Sequence, residues 1–194
     1  MSDVSRALLF LVSCVFTQNF VFARLLGSSA LFDEDRRVDT ALGLGLVTAV
    51  IMTLASVGCW ALDRYALTPM KAEYLRVLAY VAVSLIAAVL VGLCLKAAFP
   101  KLNDALNEAG MLIAVNCAAL GVALLNAEAG YGIADAALHG LFGGLGFMLA
   151  ITLMAGVQER IKYSHIPEPM KGLPITLISA SLMALAFMGF MGIA

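Results

Sequence analysis

The chain has 194 residues, of which 62% are hydrophobic and only 13% charged, and its mean hydropathy is +0.98. Soluble domains are about 45–50% apolar and about 25% charged, and a chain this small leaves much of its surface outside any core. The composition excludes a soluble enzyme, a disordered chain and a secreted disulfide scaffold, and points to an all-α polytopic membrane protein. A net charge of −1 provides neither a basic field for nucleic acid nor a polybasic patch for lipid headgroups.

Six stretches carry no Asp, Glu, Lys or Arg: residues 7–23, 40–62, 77–95, 109–127, 136–158 and 172–194. A spanning helix needs about 17–25 apolar residues, and only helices and closed barrels satisfy their backbone within hydrocarbon. The pattern predicts six transmembrane helices in a single membrane domain, 1–194, with short connections. The first run reads as a retained span and not as a cleaved leader. Its only flanking cation is Arg6, offset by Asp3, and it continues through Gln18 and Asn19 to Arg24 without a convincing cleavage site.

With six spans, Arg6, Arg64, Lys71 and Arg76 fall on one side. Arg24, Arg36, Arg37, Lys96, Lys101, Arg160, Lys162 and Lys171 fall on the other. Eight cations against four place loops 1, 3 and 5 in the cytoplasm and both termini outside. The six runs also divide into two sets of three, 1–98 and 99–194, with Asn19 and Asn116 in comparable places. Helices 2 and 5 both carry clustered glycines: Gly43 and Gly45, against Gly140, Gly143, Gly144 and Gly146. Because three is odd, the second set enters the membrane upside down. This is an inverted 3+3 repeat, whose working site is expected near the midplane.

Few residues in these runs can carry chemistry. Gln18, Asn19 and Asn116 are polar groups in hydrocarbon. They either bond across helices as packing glue or line a break where freed backbone faces a cofactor or ion. Cys14, Cys59, Cys94 and Cys117 lie far apart and form no C-x-x-C pair. Each reads first as a small apolar residue. Cys117 adjoins Asn116, and a thiolate there could bind iron, but a cluster needs ligands from elsewhere in the chain and from another subunit. Gly140 and Gly144 form a small-xxx-small face suited to close helix packing. His139 reads as an interfacial polar residue at the start of helix 5, and His165 lies in a proline-rich loop.

Several segments, taken in order, resemble one family. They are Asn19-Phe-Val with Leu26-Gly27, then Val38-Asp-Thr-Ala-Leu-Gly-Leu-Gly45, Met52-Thr-Leu-Ala-Ser56 and Tyr74-Leu-Arg76. Asn116-Cys-Ala-Ala-Leu-Gly-Val-Ala-Leu-Leu-Asn126 is the most specific. Glu159-Arg160, Ile166-Pro167 and Leu182-Met-Ala-Leu-Ala-Phe-Met-Gly189 complete the set. Across nearly its whole length the chain resembles the Rnf A / Nqr E family of integral membrane subunits, found in Rnf complexes and in the sodium-pumping reductase Nqr. The resemblance implies six helices in an inverted repeat and a homologous six-helix partner of opposite topology, with further Rnf-type subunits around them. It also implies a [2Fe-2S] cluster between the two homologues, within a bacterial or archaeal cytoplasmic membrane.

In that family each of the two homologues supplies two cysteines. One is Cys117 here. The other follows a Leu-Gly at the end of helix 1, where this chain has Ser29. A hydroxyl is not the soft ligand that iron–sulfur sites favour. Cys14 lies about 22 Å away along a helix and cannot substitute. Val89, Gly92 and Met111 replace a Gln, a Glu and a Pro that are common in the family.

The expected function is that of a translocase subunit, not catalytic alone, in an oxidoreductase that couples ferredoxin and NAD redox chemistry to Na⁺ or H⁺ export. Cys117 is its candidate cluster ligand, with Ser29 at the other ligand position. Two alternatives stand beside it. One is a cluster-less structural paralogue in such a complex, and the other is a small inverted-repeat transporter working around Asn19 and Asn116. The charge bias gives a direct check on orientation. Single cysteines introduced into the loop at 31–39 and at Ala194 should label from opposite sides of the membrane, and labelling of both from the outside would refute the topology.

Overall fold

A computed structural model describes residues 10–17, 19–27, 38–70, 73–98 and 117–190 of the chain. Among these residues the regular structure is entirely helical. The described part of α1 covers 10–17 and ends in a π-helical turn, Ser13–Thr17. Helix α2 is Val38–Leu62, prolonged by a second π-helical turn, Asp63–Leu67. Then follow α3, Arg76–Ala98, α4, Cys117–Glu128, α5, Ile133–Lys162, and α6, Leu173–Met188.

Three helical stretches are long and apolar enough to cross a membrane: 38–67, 76–97 and 133–162. Helices α4 and α6 are shorter apolar helices. Sequence and structure differ most at the first run. Its composition predicts a helix over 7–23, but the chain leaves the helix after Thr17 and passes through turns from Phe20 to Gly27.

Helices α2 and α5 form the centre, and α3 and α4 pack against α2. The central pair is antiparallel, because Gly45 meets Met148, Ala49 meets Gly144, and Met52, Thr53 and Ser56 meet Gly140. Helix backbones approach this closely only where side chains are small. A Cβ on Gly144 would lie 2.6 Å from the Ala49 Cβ. One on Gly140 would lie 2.8 Å from Ser56 Oγ and 3.0 Å from the Met52 carbonyl oxygen. The small-xxx-small face read from the sequence is therefore the seam of the fold.

The buried apolar cluster around this seam draws on every helix. It includes Phe20, Val21 and Phe22 after α1, Leu44, Ile51 and Met52 of α2, and Val91 of α3. Ala118 and Val122 of α4, Phe147 and Met154 of α5, and Phe187 of α6 complete it. Burial separates the scaffold from the lipid-facing helices. The apolar stretches of α2 and α5 are 56% and 50% buried, whereas that of α3 is 22% buried. Helix α3 turns Leu78, Ile86, Val89, Leu90 and Leu93 outward, as lipid contact requires.

Helix α6 is held mainly near its C-terminal end. There Phe187 stacks on Phe16 at 6.2 Å and on Phe22 at 4.9 Å between ring centroids, and Phe190 meets Phe16 at 5.3 Å. At the outer ends of α2 and α3, Arg76 Nε donates to Asp63 Oδ1 at 3.2 Å.

The seam sets a steric test. Gly144→Leu places a branched side chain against the backbone of α2, where no flexible group can yield. It should destabilise the folded protein by at least the 1–3 kcal/mol typical of overpacking. Gly156→Leu, at a position with open space around it, should cost far less. Thermal unfolding of the two variants in detergent checks the difference.

Candidate functional site

The broken end of α1 lies deep in the protein. The turn at 129–132 joins α4 and α5, so depth along both helices is measured from the same end. Cys117 lies 11 residues from Glu128, and Gly146 lies 11 residues from Asp135. At 1.5 Å per residue each is about 17 Å from its acidic end. That is close to the middle of a hydrocarbon core about 30 Å thick. Asn19 packs against Gly146, and Gly27 packs against Cys117.

Asn19 is completely buried, and it repairs the backbone that the break leaves open. Its Nδ2 donates to the Val15 carbonyl at 2.9 Å and, across to α5, to the Gly146 carbonyl at 2.9 Å. Its Oδ1 accepts from Val21 N–H at 3.0 Å and Phe22 N–H at 3.4 Å. One side chain thus closes the last turn of α1, opens the turn that follows, and ties both to the neighbouring helix. The two readings that the sequence left open, glue and helix break, are both realised at Asn19.

The segment from Asn19 to Gly27 continues as irregular backbone. Leu26 N–H donates to the Phe20 carbonyl at 2.9 Å. Leu25 has φ 55° and Gly27 φ 74°. The left-handed region is costly for a leucine and persists only where the surroundings enforce it. What enforces it here is α4. The Leu26 side chain seats directly over Gly121, leaving no room for a Cβ there. One helical turn away, Gly27 N–H donates to Cys117 Sγ at 3.0 Å.

The cysteines divide sharply. Cys14 and Cys59 are buried among apolar neighbours, while Cys94 and Cys117 are exposed. Cys94 lies on lipid-facing α3. Cys117 stands at the start of α4 beside the broken segment, whose Ala23, Arg24 and Leu25 are also exposed. Of the other residues singled out in the sequence, Gln18, Ser29 and Asn116 lie outside the described residues, as does Met111.

A second polar cluster went unread in the sequence. Asn126 Nδ2 donates to Ser56 Oγ at 3.1 Å and to the Ala136 carbonyl at 3.4 Å, joining α4, α2 and α5. Its Oδ1 remains as acceptor for His139 Nδ1, and that network assigns the histidine proton to Nδ1. His139 is 4% exposed. Its ring lies among those of Phe10, Phe20 and Tyr131. It is therefore a core histidine and not the interfacial one expected, because the turn at 129–132 folds α4 back over the start of α5. Asn126 also lines a cavity of about 160 Å³ with Trp60, Asp63, Arg64, Tyr80 and Tyr131. The only sequence signal for this cluster was a polar residue at the end of an apolar run.

An apolar helical scaffold, a glycine seam and a broken helix beside an exposed thiol at mid-depth together define an integral membrane protein built around an intramembrane site. The family model described as "Rnf-Nqr subunit, membrane protein" matches residues 7–194, and the chain belongs to that family. The A subunit of the ion-translocating oxidoreductase complex of Azotobacter vinelandii is 39% identical, over 98% of this chain and 98% of that protein. Those of Thioalkalivibrio sulfidiphilus and Escherichia fergusonii are 40% and 39% identical, over 95% and 96% of this chain and 96% of each relative.

Asn19 gives the site a stability signature. Asn19→Leu keeps the volume but strands two carbonyls and the amide of Val21 in a dry environment. At about 1–3 kcal/mol for each unpaired group, the loss should be about 3–5 kcal/mol. Asn19→Ser, which retains one oxygen, should lose less. Reversible unfolding in mixed detergent measures both.

Proposed function

We propose that this chain is the A-type integral subunit of an Rnf-type ion-translocating oxidoreductase, and that it relays electrons through a [2Fe-2S] centre shared with a homologous six-helix partner. The observation that carries the reading is the exposed Cys117 thiol at mid-depth with a backbone amide aimed at its sulfur. The match to A-type subunits over nearly the full length supports the wider assignment. Such a complex links ferredoxin and NAD redox chemistry to transport of Na⁺ or H⁺, and this chain is not catalytic alone.

Cys117 fits such a centre as one ligand. Its thiol is soft, accessible and already oriented by Gly27 N–H, the kind of contact that tunes iron–sulfur potentials. Among the described residues no group of three or more His, Cys, Asp or Glu could hold a metal ion, so the remaining ligands must come from elsewhere. When bound, the cluster supplies a one-electron carrier. The chain's own contribution is to hold Cys117 in place through the Asn19–Gly27 segment and the α2–α5 seam.

The exposed face of the break argues for the partner. Irregular backbone at membrane depth is tolerated only where protein or a water-filled cavity covers it. Ala23, Arg24 and Leu25 form such a face beside Cys117. A homologous six-helix protein of opposite topology provides the cover and its own ligands. In the same reading the two halves, 1–98 and 99–194, form an inverted repeat with both termini outside, which the antiparallel packing of α2 on α5 supports. A second reading, a cluster-less structural role in the same complex, is favoured by the serine at position 29, where the family has its other cysteine.

Iron content and EPR of the reduced complex separate the two. Cys117→Ser should abolish the iron signal, whereas Cys14→Ser, Cys59→Ser and Cys94→Ser should leave it. Ser29→Cys should strengthen it, since a thiolate is the better iron ligand. An unmutated complex without iron, to which Ser29→Cys adds none, would establish the structural reading instead.

A further inference from the structure

Near the other end of α5 the protein has a feature that the electron-relay reading does not use. A cavity of about 200 Å³ lies between the last turns of α5 and the start of α6. Ile161, Ile166 and Ile175 give it apolar walls, and Lys162 and Lys171 bring two cations to it. The polar groups around it come from both helices. Ser164 Oγ donates to the Arg160 carbonyl at 3.2 Å, and Thr176 Oγ1 donates to the Gly172 carbonyl at 3.1 Å. The start of α6 adds the positive end of its dipole.

The packing explains why the gap exists. Phe187 and Phe190 clamp α6 to α1 and the turn after it near the helix's C-terminal end. At its N-terminal end only Thr176 and Ser179 are buried. Gly172, with φ 84°, turns the chain into α6, and Pro167 and Pro169 hold the preceding loop off the helical path. The helix is therefore seated at one end and stands away from α5 at the other.

We propose that this cavity binds the headgroup of an anionic phospholipid. Its position and chemistry both favour that occupant. The cavity lies where α5 passes from apolar residues to Glu159, Arg160 and Lys162, at the level of the polar headgroups. Basic pockets between transmembrane helices recognise anionic headgroups. Beyond it, α6 exposes Leu173, Leu177, Ile178 and Leu182, a path for acyl chains that a free anion would not need. Lys171 also pairs with Glu168. That pair is exposed, worth little, and leaves Lys171 further N–H donors for a phosphate. The net charge of the whole chain hid this site, because the cations meet only when the loop between α5 and α6 folds.

Lysine footprinting of the intact complex tests the proposal. The delipidated complex is placed in nanodiscs of phosphatidylglycerol or of phosphatidylcholine and treated with an amine-reactive reagent. Labelling of Lys162 and Lys171 is then read by peptide mass spectrometry against exposed Lys96. Phosphatidylglycerol should slow both lysines about tenfold relative to Lys96, the scale expected for two cations engaging an anionic surface. Phosphatidylcholine, with or without added inorganic phosphate, should not. Equal rates in both lipids would overturn the proposal, and protection by phosphate alone would make the ligand a free anion. As a second measurement, K162Q/K171Q should retain about tenfold less phosphatidylglycerol through purification, while K162R/K171R retains it. Equal retention by the Gln variant would also overturn the proposal. Should that variant fail to assemble, the footprint of the unmutated complex decides.

Discussion

Hydrocarbon offers no hydrogen bonds, so any peptide group freed from a helix inside the membrane must find its partner within the protein. The structure around the site depends on this constraint. Helix α1 stops after Thr17, and the groups it releases converge on Asn19, whose amide has both donors and an acceptor. A hydroxyl could not serve both sides of the break. Once Asn19 fixes the turn, Leu26 falls over Gly121 and Gly27 N–H reaches Cys117. The position of the thiol follows from the repair of the backbone.

The repair in turn needs α5 to be close. Asn19 reaches the Gly146 carbonyl because glycines at 140, 143, 144 and 146 strip α5 of side chains on the faces it turns to α1 and α2. Phe20 occupies the space above Gly143. The same glycines therefore act twice, bringing α2 within backbone contact on one side and admitting the broken segment on the other. A larger residue at either place would disturb both contacts, since packed interiors have little slack. Toward the outer end of the seam, Ser56, Asn126 and His139 cross-link three helices with hydrogen bonds where the glycine packing gives way to polar groups.

The outer surface divides according to what covers it. Helix α3 and the outer face of α6 present branched apolar side chains, suited to lipid. The face holding Arg24, Leu25 and Cys117 is different in kind, because it combines open backbone, a cation and a thiol. The cavity between α5 and α6 is a third kind of surface, apolar inside and cationic at the rim.

Much of this was legible in the sequence. Charge-free runs of the right length marked the membrane segments, since hydrocarbon penalises charge wherever it occurs along a chain. The Gly140–Gly144 spacing marked the seam, because residues four apart share a helix face. Asn19 and Cys117 were marked by being polar or soft where only apolar residues are needed. The tertiary structure decided the rest, and each case has the same physical reason. Whether Asn19 bridges helices or caps a break depends on which carbonyls lie within 3 Å of it, and those belong to residues 15 and 146. That His139 is buried depends on the turn at 129–132, which brings Asn126 to it. That Cys117 is exposed while Cys14 and Cys59 are buried depends on which helices cover which faces. Periodicity fixes the elements, because it is local. Contacts between residues a hundred positions apart appear only when the helices pack.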